Sequence, residues 1–418
     1  MTAAKGLPAW SLFAALIATA GLPIYIHAPK FYVDSYGVTL ASLGFVLAGL
    51  RLIDVVQDPA LGWLAEATRP RRRLGVALAV VLLVASFAAL FAVTPPIPAL
   101  WWFALCLTGL FSAFSFLTIC FYAEGVVRGE SLGPGGHIRL AGWREGGSLL
   151  GVCFAAVAPA ALAAATGAPF TAFAALFAGL ALTATFAMRR QWQGHAAEPT
   201  PGPFALFRPV LADQLARRLL LIALLNATPV AVTSTLFLFF VESRLGLPGW
   251  EGPLLLIFFL AAAISTPAWS LLARRFGPRP MLLSAMVLAI LAFLWTFTLG
   301  TGDGIAFALI CAASGAAMGA DLTLLPAIFA QRLARLGTRE AAAFGLWSFV
   351  SKLSLALAAA TLLPALDFAG FRPGPDNTES ALRTLTLIYA ALPCVLKVTA
   401  ILLLAFTPLP EPAKGAVP

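Results

Sequence analysis

Apolar residues fall in blocks of about twenty along this chain, with short polar joints between them. Twelve such blocks can be drawn, at 7–29, 38–65, 74–94, 98–122, 138–164, 168–188, 216–241, 251–273, 279–300, 304–330, 341–366 and 381–407. At about 1.5 Å per residue, roughly twenty residues cross a hydrocarbon layer about 30 Å thick, and a helix satisfies its own backbone there. The pattern predicts an all-α membrane protein with twelve transmembrane helices. The first block reads as a membrane helix and not as a cleaved leader. Little charge precedes it, no cleavage site is evident, and polar Tyr25, His27 and Lys30 follow directly.

The blocks repeat. Phe31-Tyr32-Val33-Asp34-Ser35 returns as Phe239-Phe240-Val241-Glu242-Ser243 at an offset of 208 residues. At the same offset, Asp58-Pro59-Ala60-Leu61-Gly62-Trp63-Leu64-Ala65 returns as Thr266-Pro267-Ala268-Trp269-Ser270-Leu271-Leu272-Ala273. A further echo links Phe103–Cys106 to Phe307–Ile310. Two six-helix halves in the same orientation are expected, 1–188 and 216–418, joined by a cytoplasmic linker at 189–215 where Gly, Pro, Gln and charge interrupt the apolar pattern. The halves differ in chemistry. At the same offset, Arg51, Asp54 and Asp58 correspond to Phe259, Ala262 and Thr266, so ion handling is expected in the first half.

Composition narrows the function. Hydrophobic residues make up 61% of the chain and charged ones 11%, too little polar surface for a soluble protein of 418 residues. The net charge of +9 reports orientation and not a nucleic-acid partner. Twenty of the 27 Lys and Arg residues fall on the side that carries the N-terminus, and only Lys30, Arg244, Arg372 and Arg383 on the other. By the positive-inside rule both termini are expected in the cytoplasm of a multi-pass protein of the cell (inner) membrane. The five cysteines lie within apolar blocks without metal-ligand spacing and read as small hydrophobes. Three scattered histidines, with no His-x-x-x-His or Cys-x-x-Cys, argue against an enzyme. No ATP-binding Gly-rich loop is present, so an ion gradient is the expected driving force, and no cofactor is expected beyond a coupling ion, Na+ or H+.

The second block holds the chemistry. Arg51, Asp54 and Asp58 stand three and four residues apart and share one helix face. A charge at the bilayer centre costs roughly 2.5–3.5 kcal/mol on insertion scales, so three on one stripe need a task. Two carboxylates one turn apart favour a shared sodium, lithium or proton, and Gln57 adds an amide oxygen. Arg51 is placed to hold one carboxylate ionised, or to lock helices as an ion pair. Lys352 lies about twelve residues into its block, too deep to snorkel, with Asp54 or Asp58 as expected partner; cation entry would then compete with its ammonium. Glu66 and Arg69 read as charge pairs closing the inner face. Arg144 and Glu145 lie near the start of the fifth block, where Arg144 either binds substrate or pairs with Glu124 or Asp321. Asp321 follows Gly315-x-x-x-Gly319 and is assigned to packing or gating. Lys397 has no evident partner. Trp347 and Tyr25 are the aromatics placed to stack on a substrate, ahead of Trp143 and Tyr32.

Four segments carry a resemblance. They are Leu22–Tyr32; Arg51-x-x-Asp54-x-x-x-Asp58-Pro59-x-x-Gly62-Trp63; Arg139-Leu-Ala-Gly-Trp143-Arg144-Glu145; and Asp321 with Thr338-Arg339-Glu340 and Phe344-Gly-Leu-Trp347-Ser-Phe-Val-Ser-Lys352. Together they resemble the glycoside–pentoside–hexuronide:cation symporters of the major facilitator superfamily. The resemblance implies the major facilitator fold and assigns the coupling cation to Asp54 and Asp58. Gln57 would be a further ligand, with a fourth-helix hydroxyl, Thr118 or alternatively Ser115. It also implies that Arg144 contacts substrate and that Lys352 sits near the carboxylates. The chain departs from galactoside-carrying members in lacking acidic residues in Trp10–Pro23 and Ser115–Phe121. The expected function is secondary active transport, as cation-coupled symport of a sugar or related small solute by a monomer in the lipid bilayer. A proton-coupled exporter or a carrier of an amphiphilic, lipid-like substrate is the alternative within transport. A non-transporting membrane sensor or assembly factor is the alternative outside it.

Overall fold

The computed structural model describes residues 6–163, 165–192, 203–337, 339–372 and 377–409. The described residues are mostly helical, with no strand among them. The helices are α1 (Leu7–Thr19), α2 (Leu22–Tyr36), α3 (Leu40–Ala67), α4 (Arg72–Ala92), α5 (Ala99–Ser131), α6 (Gly136–Ala163), α7 (Pro169–Met188), α8 (Pro203–Ala212), α9 (Gln214–Phe239), α10 (Glu251–Phe276), α11 (Pro278–Trp295), α12 (Gly304–Leu336), α13 (Glu340–Phe368), α14 (Glu379–Thr386) and α15 (Leu392–Ala405). Short π turns at Phe240–Arg244 and Leu387–Ala391 extend α9 and join α14 to α15.

Among the described residues ten helices are long and apolar enough to cross a bilayer. The charged second crossing, α3, is long enough at 28 residues. The first crossing makes twelve, but it differs from the single helix expected at 7–29. It breaks at Ala20-Gly21 into α1 and α2. Gly21 leaves the helical region at φ −96, ψ −122, and Pro23 has no N–H to continue the ladder from Thr19. In the second half the corresponding block runs unbroken over Gln214–Arg244 and absorbs Pro229 inside the helix. The linker also holds a short helix, α8.

The chain divides into two compact units, one of 1–210 with 333–349, the other of 211–332 with 350–418. The first unit has an aromatic core, with Trp10 stacked on Phe121 at 4.8 Å and Phe87 on Phe177 at 4.1 Å. The second is organised around Phe240, stacked on Tyr389 at 4.3 Å and tilted against Phe307 at 5.4 Å.

Lipid gives no hydrophobic drive to helix pairing, so close approach depends on small residues. In the first unit α6 lies on α1 through Gly147 and Gly151. A Cβ on Gly147 would meet the Ser11 carbonyl at 2.1 Å, and one on Gly151 the Ala15 carbonyl at 2.4 Å. In the second unit Gly315 and Gly319 of α12 play the same part against the Phe258 and Ala262 carbonyls of α10. Gly147→Ala is therefore expected to lower the amount of folded protein in the membrane severalfold, read by detergent-resistant fluorescence of a fused reporter. Gly146→Ala, whose Cβ meets nothing within 4 Å, is expected to leave it unchanged.

Asp213 fixes the start of α9. It accepts from the Ala216 amide at 2.7 Å and from Arg332 Nε at 3.1 Å and Nη2 at 2.5 Å. These bonds, the Arg332 fork foremost, hold its carboxyl below the ordinary value of 3.8. The folded form is favoured while Asp213 is ionised; that contribution is present above about pH 4 and is lost as pH falls through the lowered value. Asp213→Asn should narrow the difference in melting temperature between pH 6 and pH 3 relative to the parent.

Candidate cation and substrate site

Helix α3 starts at Thr39, whose Oγ1 accepts from the Ser42 amide at 3.3 Å. Its register brings Asp54, Asp58, Gly62 and Glu66 onto one face at steps of four. That face is inward. Asp58 is 0% exposed, Glu66 2% and Asp54 8%, whereas Leu52, Ile53 and Val56 on the opposite side are 63%, 51% and 74% exposed. The helix is polar inside and apolar outside, the arrangement lipid imposes on ionisable groups.

Gly62 sets the second wall of the site. A Cβ there would lie 3.2 Å from both the Ala341 carbonyl oxygen and Gly345 Cα, and one on Gly345 would lie 3.0 Å from the Asp58 carbonyl oxygen. The start of α13 therefore touches α3 backbone to backbone. Ser348, one turn beyond Gly345, donates its hydroxyl to Asp58 Oδ2. At the other end of the contact Glu66 Oε1 accepts from the Ala341 amide at 2.9 Å and caps α13, with its negative charge at the positive end of that helix. Arg69 lies 3.7 Å from Glu66 and 3.3 Å from Glu340.

Asp54 has its own support. Gln57 Nε2 donates to Asp54 Oδ1 at 2.6 Å, and Ser112 of α5 donates to Gln57 Oε1 at 3.0 Å. The amide thereby fixes its orientation between a carboxylate and a hydroxyl. Two buried carboxylates thus stand one turn apart on α3, one braced by an amide that a hydroxyl of α5 holds, the other by a hydroxyl of α13. No cluster of three or more His, Cys, Asp or Glu side chains fit to hold a metal ion occurs among the described residues.

The structure adds a third hydroxyl to the two expected from α5. Thr118 Oγ1 is buried and makes no hydrogen bond among the described residues. Ser115 is fully buried on the same helix. A hydroxyl joined to the α3 amide is Ser112, nearly two turns of helix before Thr118. Polar residues recur at 112, 115 and 118, so spacing alone does not choose the register.

A second polar group lies on α5 and α6. Arg144 Nε donates to Glu145 Oε1 at 2.8 Å, and Tyr122 Oη donates to the same oxygen at 2.8 Å. The Arg144 guanidinium lies over the Tyr122 ring, 3.6 Å from its centroid. Arg144 thus pairs with its own neighbour. Adjacent helical residues point apart, and only the length and bend of the arginine chain close this pair. Nothing in the sequence singles out Tyr122, an aromatic in an apolar block. Its ring lies 5.1 Å from Phe344 of α13, which lies 6.5 Å from Trp347. Trp347 is half-buried.

In the second unit Asp321 pairs with Lys397, and Lys397 Nζ also donates to Asn226 Oδ1 at 2.5 Å. Lys397, without a partner in the sequence reading, and Asp321, assigned to packing or gating, therefore meet. Lys352 stands in the middle of α13. The side chains of Tyr25 and Arg51 lie outside the described residues, and the roles expected of them are not placed.

Solved structures share the fold. A point variant of the Escherichia coli fucose:proton symporter FucP matches with a TM-score of 0.70 at 14% identity, covering 98% of this chain and 100% of that one. A bacterial homologue of the iron transporter ferroportin, in an outward-facing state with soaked iron, matches with a TM-score of 0.70 at 15% identity, covering 96% and 99%. No curated protein matches. A family model described as MFS/sugar transport protein matches residues 9–411. With that match over nearly the whole length, and the major facilitator fold, the chain belongs to the MFS/sugar transport protein family: it is a multi-pass secondary transporter and not an enzyme.

Proposed function

We propose that this transporter is a symporter in which Asp54 and Asp58 bind the coupling cation, Na+ or H+, and the substrate is a sugar or related hydroxylated solute. The observation that carries the reading is the pair of buried carboxylates on one turn of α3, each accepting from a neutral donor, Gln57 for Asp54 and Ser348 for Asp58. A cation arriving there finds oxygen ligands already oriented, and the ligands come from α3, with α5 and α13 holding them in place. The family name and the fold's occurrence in a fucose:proton symporter support the substrate and coupling classes.

Substrate contact falls to the Arg144, Tyr122 and Trp347 group. A guanidinium presents planar paired donors suited to vicinal hydroxyls or a carboxylate, and an indole face suits the apolar face of a sugar ring. Ion and substrate groups meet on α13, where Phe344 packs on Tyr122 and Ser348, one turn later, binds Asp58. Filling either site moves the same turn of helix, a direct route to coupling. Lys352, one turn past Ser348, is the proposed competitor of the ion. The charge bias of the sequence supports a cytoplasmic position for both termini.

The test is binding of a panel of sugars, sugar acids and lysolipids to purified protein in Na+, Li+ or choline at pH 6 and pH 8. A hydroxylated ligand whose affinity rises at least tenfold with one cation supports the reading. Binding confined to lysolipids, or indifferent to cation and pH, contradicts it.

A further inference from the structure

Helices α9, α12 and α15 bring three polar side chains together inside the second unit. Lys397 Nζ donates to Asn226 Oδ1 and to Asp321 Oδ2, across 171 and 76 residues of sequence. All three are buried, with Asn226 5% exposed, Asp321 9% and Lys397 3%. Asp321 Oδ1 is also buried and accepts no hydrogen bond among the described residues. From α10, the hydroxyls of Ser265 and Thr266 approach the Gly319 end of this stretch of α12.

We propose that Asp321 and Asn226 form a monovalent-cation cage in the second unit, occupied by the protein's own Lys397 ammonium. The donor set is the one a free cation would use, a carboxylate and an amide oxygen. Here the cation arrives on a side chain. A tethered ammonium cannot leave, so this cage keeps the second unit indifferent to external ions. Its chemical class of ligand becomes visible once the tether is cut. Removing the ammonium leaves a buried carboxylate without its counter-charge, a costly state that a small free cation would relieve. The cage stands on its own three residues; combined with the proposed role of Asp54 and Asp58, it implies a single coupling cation per transport cycle.

The test uses the full chain carrying Lys397→Ala, in detergent, with melting temperature followed against methylammonium, Na+ or choline chloride at equal ionic strength. Lys397→Ala should melt roughly 5 °C or more below the parent, by the usual relation of stability to melting temperature. Methylammonium or Na+ should restore at least half of that loss; choline, too large for the cage, should not. Adding Asp321→Asn should abolish the restoration. Repeating the titration with Asp58→Asn in place should leave it intact, which separates this cage from the first-unit site. Where Lys397→Ala does not accumulate, its membrane level during expression with and without methylammonium is the readout. No restoration by either small cation, equal restoration by choline, or restoration that survives Asp321→Asn overturns the proposal.

Discussion

Asp58→Asn is expected to abolish ion-driven accumulation while the protein stays folded in the membrane. Asparagine nearly matches aspartate in shape and keeps an oxygen to accept from the Ser348 hydroxyl, so the α3–α13 contact persists. What it removes is the charge that draws in a cation. One elementary charge crossing 100 mV supplies about 2.3 kcal/mol, enough to concentrate a neutral solute about fiftyfold. In proteoliposomes with an imposed potential and ion gradient, the variant should fall from that scale of accumulation to an internal concentration equal to the external one. Exchange of labelled for unlabelled substrate, which needs no net ion movement, should survive. Melting temperature should stay level or rise, since a neutral amide is cheaper to bury than a carboxylate. Accumulation preserved in Asp58→Asn would remove this residue from coupling.

Gly62→Val should lower transport at least tenfold by a different route. The new Cβ would meet the Ala341 carbonyl oxygen and Gly345 Cα, both at 3.2 Å. Both neighbours are backbone and cannot swing aside as a side chain would, so α13 must move off α3. Overpacking of this kind costs about 1–3 kcal/mol. The same shift withdraws Ser348 from Asp58 and the Ala341 amide from Glu66. The variant should therefore bind the coupling ion weakly as well as fold less well. Gly62→Ala, asking for a displacement of a few tenths of an ångström, should fall between. Gly49→Val, on the same helix with nothing within 4 Å of its Cβ, is the control and should transport normally. If Gly62→Val transports like Gly49→Val, the backbone contact does not position the site.

The crossings are legible in the sequence because lipid allows one answer to a twenty-residue apolar run. The inward polar face of α3 is legible too, since a four-residue step of Asp54, Asp58 and Glu66 can face only one way on a helix. The break in the first crossing is not, although Gly21-Leu22-Pro23 stands in plain view. The same block in the second half holds Pro229 without breaking, so the residues alone do not decide. Partners from other helices are harder. Ser112, Ser348, Tyr122 and Asn226 are ordinary residues within apolar blocks. Each is picked out only by the helix that comes to lie beside it. Lys397 and Asn226 are 171 residues apart, and nothing local to either announces the other. The partner of Arg144 is hidden for a related reason: adjacency in sequence normally sends two helical side chains apart, and here a long, bent arginine returns to its neighbour.

The most direct measurement is ion uptake by the purified protein itself, with radioactive Na+ followed by equilibrium dialysis and H+ by pH change in weakly buffered solution. The account predicts saturable uptake approaching one ion per chain, lost when Asp54 and Asp58 are both changed to Asn. Uptake unaltered by that double change, or no uptake of either ion by the parent, would contradict it.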